Sequence, residues 1–245
     1  MRPVPPAVIA LADRLAGLGW VRDLDVAGSL ATGDYVPGVS DLDLVAVVEG
    51  PVDGMRLEAL AAVHRELDAG LAFGLDLGCV YVDDRALLDV RTLHPTWTHG
   101  SLVDRILSGV TRAELARHGF AVLGRPPQEV FREVTDDDVR RAARAELTGY
   151  WAWAARRPTM WLHPVIADLG LTSMARGRFA VRTGRLLTKS EAITQADAPR
   201  WLIEQLAARR RGEQVVSPRL RTGWMAWRDA RRTVRAAARS EAPPR

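Results

Sequence analysis

Two aspartates stand two residues apart at the head of an apolar run, Ser40-Asp41-Leu42-Asp43-Leu44-Val45-Ala46-Val47-Val48. On a strand, residues two apart point to the same side. Asp41 and Asp43 would then present their carboxylates together while Leu42 and Leu44 face a core. Such oxygens repel unless a cation lies between them. Paired hard carboxylates suit Mg²⁺, which takes one or two carboxylates together with substrate phosphates. Two such ions neutralise both the entering and the leaving oxygen of a phosphoryl transfer. Upstream, Gly28 permits close backbone approach, and Ser29 offers a hydroxyl and an amide to a phosphate. Taken alone, the Asp-x-Asp pair reads as a capping and a solvated aspartate on an edge strand. Gly-Ser, a spacer shaped by Gly33, Pro37 and Gly38, then Ser-Asp-x-Asp before an apolar strand is far more specific.

The elements that must carry these residues follow from periodicity. Residues 5–19 hold Val8, Ile9, Leu11, Leu15 and Leu18 at helical spacing. Residues 23–29 set Leu24 and Val26 against charge and end at Gly28, a short strand and turn. Residues 41–48 form a strand closed by Glu49-Gly50-Pro51, residues 55–70 an amphipathic helix, and residues 74–82 a further strand. Strands alternating with helices predict an α/β layer. After Val82 the strand signals fade, and residues 94–100 read as a loop whose His94 and His99 are not expected to bind metal. Thr135 followed by Asp136, Asp137 and Asp138 is a helix N-terminus. From there to about Ala238 only helical patterns remain, broken near Pro158, Gly184, Pro199 and Pro218. The expected organisation is an α/β domain over 1–134 and an all-α helical domain over 135–245, with about the last seven residues frayed.

The quoted arrangement resembles the nucleotidyltransferase superfamily related to DNA polymerase β. Its members move a nucleoside monophosphate from a triphosphate to an acceptor. The second half, with Arg176, Thr183-Gly184 and Lys189 in order, resembles the streptomycin/spectinomycin O-adenylyltransferases. Lys189 is the only lysine among 34 basic residues, and it falls where that family uses one. An ammonium is a compact point charge that a planar guanidinium does not replace. The resemblance implies an α/β nucleotidyltransferase domain with a mixed sheet, followed by a helical bundle, with ATP between them as co-substrate. Gly28, Ser29, Ser40, Arg176 and Lys189 would bind ATP, and Asp41 and Asp43 would hold two Mg²⁺. Asp76 stands where the family has a glutamate, and it reads either as the base for an acceptor hydroxyl or as a third metal ligand. Trp97 and Trp151 are candidate substrate contacts. Arg156 and Arg157 stand where the family places acids, which argues against streptomycin and leaves spectinomycin or an unrelated small acceptor.

Two other readings stand beside this one: a nucleotide-binding regulator without turnover, and a nucleotidyltransferase acting on nucleic acid or protein. The formal charge of +4 and pI of about 9.9 suit an anionic ligand. The excess sits in the last forty or so residues, as a solvated helix face or a surface for nucleic acid or an acidic partner. Cys79 is the only cysteine, so no internal disulfide forms, and a reducing cytoplasm fits. The amphipathic N-terminus reads as a helix, not a leader, and no apolar run is long enough to cross a membrane. A monomer is expected. There is no Gly-x-x-x-x-Gly-Lys-Ser/Thr loop, which excludes a Walker-type nucleotide site.

Overall fold

The computed structural model describes residues 3–87 and 89–239, so the expected frayed tail lies outside the described residues. The chain divides into two compact units, Met1–Val134 and Thr135–Arg245. Among the described residues, no helix is long and apolar enough to cross a membrane.

The first unit runs α1 (Pro6–Ala16), β1 (Val21–Val26), α2 (Gly28–Thr32), β2 (Leu42–Val48), α3 (Gly54–Asp68), β3 (Leu77–Asp83), β4 (Leu93–Thr98), β5 (Ser101–Ile106), α4 (Gly109–His118), β6 (Phe120–Leu123) and α5 (Pro127–Val130). The six strands form one mixed sheet in the order β5-β4-β3-β2-β1-β6. Only β2 and β3 are parallel, in the register Leu42↔Leu77 to Val48↔Asp83. One face, with Leu24, Val26, Leu42, Leu44, Ala46, Cys79 and Tyr81, packs on Leu11 and Leu15 of α1 and Leu60 and Leu67 of α3. The other, with Ala27, Val45 and Val82, packs on Leu107, Leu115 of α4 and Phe131.

A sheet covered on both faces corrects two expectations. Asp23 and Asp25 are not on a solvent face: they are 1% and 0% exposed. Asp25 pairs with Val45, so it points to the α4 side. Residues 94–100 are no loop but the core of the β4–β5 hairpin, with Thr98↔Ser101 as its last pair. Its two-residue turn, His99-Gly100, has φ of 48° and 74°. Two left-handed residues match the twist of a hairpin, a role Asn-Gly usually fills. A histidine in that place, and Pro95 within the strand, hid the signal.

The second unit is helical: α6 (Asp136–Glu146), a π-helical turn over Leu147–Trp151, α7 (Ala152–Ala155), a 3₁₀ turn over Pro158–Leu162, α8 (Pro164–Thr183), α9 (Lys189–Thr194), α10 (Arg200–Arg210) and α11 (Arg219–Arg239). Thr135 and Asp138 form a reciprocal capping box at the start of α6. The core centres on Trp161, Leu171, Met174, Leu202 and Ala230. Trp161 is completely buried, and its indole N–H donates to the Ala154 carbonyl at 3.1 Å.

Candidate functional site

The Gly28-Ser29 turn is built against β2. The Ala27 N–H donates to the Asp43 carbonyl at 2.8 Å, continuing the β1–β2 ladder to its end. The next residue, Gly28, turns the chain into α2 with φ of 58°, a left-handed conformation that favours glycine. A Cβ there would lie 2.1 Å from Asp43 Oδ2, so the missing side chain is the space the carboxylate occupies. Ser29 follows, 8% exposed, and its Oγ has no hydrogen-bond partner among the described residues. A buried hydroxyl left without a partner is costly and calls for a ligand atom or water.

Asp41 and Asp43 are both exposed at this edge. Asp76 lies one residue before β3, where its carbonyl accepts the Leu42 N–H at 2.8 Å. Extending the parallel register by one residue sets Asp76 beside Asp41, on the Asp43 side of the sheet. Its carboxylate is 3.8 Å from His99 Nδ1, brought there by the β4–β5 turn. Among the described residues, no three Asp, Glu, His or Cys side chains gather as a metal cluster. Uncompensated carboxylates repel, and two of them plus phosphate oxygens satisfy Mg²⁺. The Asp41–Asp43 pair, the Gly28 cradle and the orphan Ser29 hydroxyl fit that donor set.

A cavity of about 270 Å³ opens beside Asp43, lined also by Gly28, Thr96, Arg105, Thr111 and Glu114. Thr111 and Glu114 come from α4, which Ser108 caps by accepting the Thr111 N–H at 3.1 Å. Ser40 is a loop brace: its Oγ accepts the Val36 N–H at 3.0 Å. In the second unit, Arg176 Nε donates to the Leu187 carbonyl at 2.9 Å, tying α8 to the segment that leads into α9. Thr188 caps α9 and sets Lys189 as its first residue. The two cations expected to act together are thus joined locally.

Both tryptophans expected at the substrate are buried, and Trp97 also borders the cavity beside Asp43. Trp97 is 2% exposed, stacks on His64 at 4.9 Å between ring centroids, and donates its indole N–H to Asp68 at 3.1 Å. It pairs with Cys79, whose side chain faces α1 and α3. Trp151 packs on Trp161 inside the second unit. Both stand in half-apolar segments whose packing decides which face is covered, and an indole gains most by burial.

Residues 10–84 of the first unit match the sequence profile of the nucleotidyltransferase domain family. Among solved structures, the chain is similar to spectinomycin adenyltransferase AAD(9) from Enterococcus faecialis, solved with ATP and spectinomycin. The TM-score is 0.71 at 15% identity, over 91% of this chain and 95% of that one. At this identity the likeness is one of fold, and it covers both units. A looser likeness, to E. coli MS115-1 CdnC with ATP, has a TM-score of 0.32 at 14% identity over 97% of this chain and 84% of that one, too low to carry argument. No curated protein matches the chain.

Sequence reasoning missed Arg105, Thr111 and Glu114, and gave His99 no role beside Asp76. Arg105 and Glu114 are ordinary charges among many, with no informative spacing. Only α4 packing over the sheet and the hairpin turn bring these groups to the Asp43 edge.

Proposed function

We propose that the protein transfers AMP from ATP to a hydroxyl of a small acceptor in a Mg²⁺-dependent reaction, with spectinomycin the first acceptor to test. The observation that carries this reading is the close fit of Gly28 against the Asp43 carboxylate, with the unpartnered Ser29 hydroxyl next to it. Gly28 and Ser29 would receive the terminal phosphates of ATP. Asp41 and Asp43 would hold Mg²⁺, which when bound neutralises the triphosphate and makes its α-phosphorus more electrophilic. Arg176 and Lys189 add positive charge for the same triphosphate. Asp76 takes the proton of the acceptor hydroxyl, with His99 at 3.8 Å to orient its carboxylate. The hydroxyl oxygen then attacks the α-phosphorus and pyrophosphate leaves. The cavity beside Asp43 holds the acceptor, with Glu114 and the threonines lining it. The work is positioning and charge neutralisation.

Pyrophosphate release is the test, with ATP, Mg²⁺ and a panel of spectinomycin, streptomycin and other amino-sugars. The expected result is acceptor-dependent release and a product heavier by one AMP. Asp43→Asn should lower the rate by a factor of at least about 10². Release that persists unchanged in Asp43→Asn would overturn the assignment.

A further inference from the structure

Helix α11 divides its surface. Ala226, Ala230, Thr233 and Ala237 are buried on one side. On the other, Arg221, Arg228, Arg231, Arg235 and Arg239 recur at steps of three, four and seven residues. At about 100° per residue these positions fall within roughly a quarter of the helix circumference, a stripe about 27 Å long. Among the described residues none of the five has an ion-pair partner, whereas Arg232 is taken by Asp197 and Asp229.

Where the stripe begins, an apolar cavity of about 290 Å³ opens, walled by Pro158, Leu162, Leu220, Gly223, Trp224 and Trp227. Trp224 is 51% exposed. The Arg228 guanidinium lies 4.6 Å from the Trp224 ring centroid and that of Arg231 4.7 Å from Trp227. The tryptophans that wall the cavity therefore also carry two arginines of the charged row.

We propose that this face of the second unit binds single-stranded nucleic acid, its phosphodiester chain along the arginine stripe and one base lodged against Trp224 in the apolar cavity. Guanidinium groups grip phosphate oxygens in pairs. An aromatic wall stacks any base, so the two features together match the way single strands are held without sequence preference. A lipid surface fits less well, because the apolar side of α11 is already buried in the core and only its first turns show apolar groups. An acidic peptide would match the stripe but does not carry a planar group at every repeat for the cavity.

The experiment is fluorescence anisotropy of the full chain with labelled 12-nucleotide oligo(A) and oligo(U) RNA, from 50 to 300 mM KCl. The expected slope of log K against log salt is about −3.5 for five phosphate contacts on a single strand. Arg228→Glu with Arg235→Glu should weaken binding at least about tenfold and flatten the slope by about 1.4. Trp224→Ala should weaken binding about 5- to 100-fold with the slope unchanged. Far-UV circular dichroism and an unchanged melting midpoint show that the variants remain folded. Three results overturn the proposal: no binding at 50 mM salt, affinity indifferent to these substitutions, or equally tight binding of polyglutamate or phosphatidylserine vesicles.

Discussion

Asp25 has no exposed surface, and neither carboxylate oxygen has a hydrogen-bond partner among the described residues. Burial, then the neighbouring Asp23 charge, pushes its pKa up from 3.8 to about 7, against the pull of Arg125. Between these values the native state keeps a proton that the unfolded chain has released, so stability falls as pH rises, by roughly 4 kcal/mol once both are ionised. His64 acts in the opposite sense. It is buried beside Tyr81, at 2.6 Å from the phenol oxygen, and burial lowers its pKa from 6.5 to about 3. Below pH 6.5 the unfolded chain takes a proton that the native imidazole refuses, so stability falls as pH falls. The two slopes offset each other between about pH 4 and 6.5. Asp25→Val removes one of them and suits a buried strand. Thermal midpoints should show the variant more stable than the parent at pH 8 by a few kcal/mol, with stability that rises from pH 4.5 to 6 where the parent is nearly flat. No gain at pH 8 would mean that Asp25 has a partner in solution.

At the scale of elements, Trp161 fixes how the second unit packs. A Cβ on Gly170 of α8 would lie 2.2 Å from its ring, and one on Gly223 of α11 would lie 2.4 Å from its carbonyl oxygen. Helix propensity alone favours Gly→Ala by about 1 kcal/mol. Forcing a methyl into a filled core costs about 1–3 kcal/mol. Gly170→Ala should therefore lower the melting midpoint despite the better helix former. Gly149→Ala, where nothing lies within 4 Å, should leave it unchanged or raise it. Equal effects at the two positions would remove Trp161 as the reason for Gly170. In the first unit, the comparable device is the His99-Gly100 turn, which sets the β4–β5 register and delivers His99 to Asp76.

At the scale of the whole molecule, each unit has its own core, and binding of ATP is read from the stability of the full chain. A ligand that binds only the native state stabilises it by about 2.7 kcal/mol at a hundredfold excess over Kd. ATP with Mg²⁺ should raise the melting midpoint of the parent. Asp43→Asn and Lys189→Ala should each abolish most of that rise, with Lys189→Arg intermediate because a guanidinium is broader and differently directed. A rise that survives Lys189→Ala would remove Lys189 from the proposed ATP contacts.

Much of this protein was legible in the residues alone. The Gly28-Ser29 turn, the Asp41-Leu42-Asp43 alternation, the existence of the β2 and β3 strands and the helical run after Thr135 all rest on interactions between near neighbours, which local periodicity and capping express. The chemistry expected of Gly28 and Asp43 acquired its geometry in the structure, where one residue's missing side chain is the other's space. What sequence could not decide depended on burial by distant segments. Asp23 and Asp25 alternate with core residues as charges yet are buried in the sheet, Trp97 and Trp151 look available until α3 and Trp161 pack on them, and residues 94–100 look irregular until β3 supplies a partner. Which face of an element is covered is a property of the assembled sheet and bundle, because the free energy of burial is gained only when the other surface arrives.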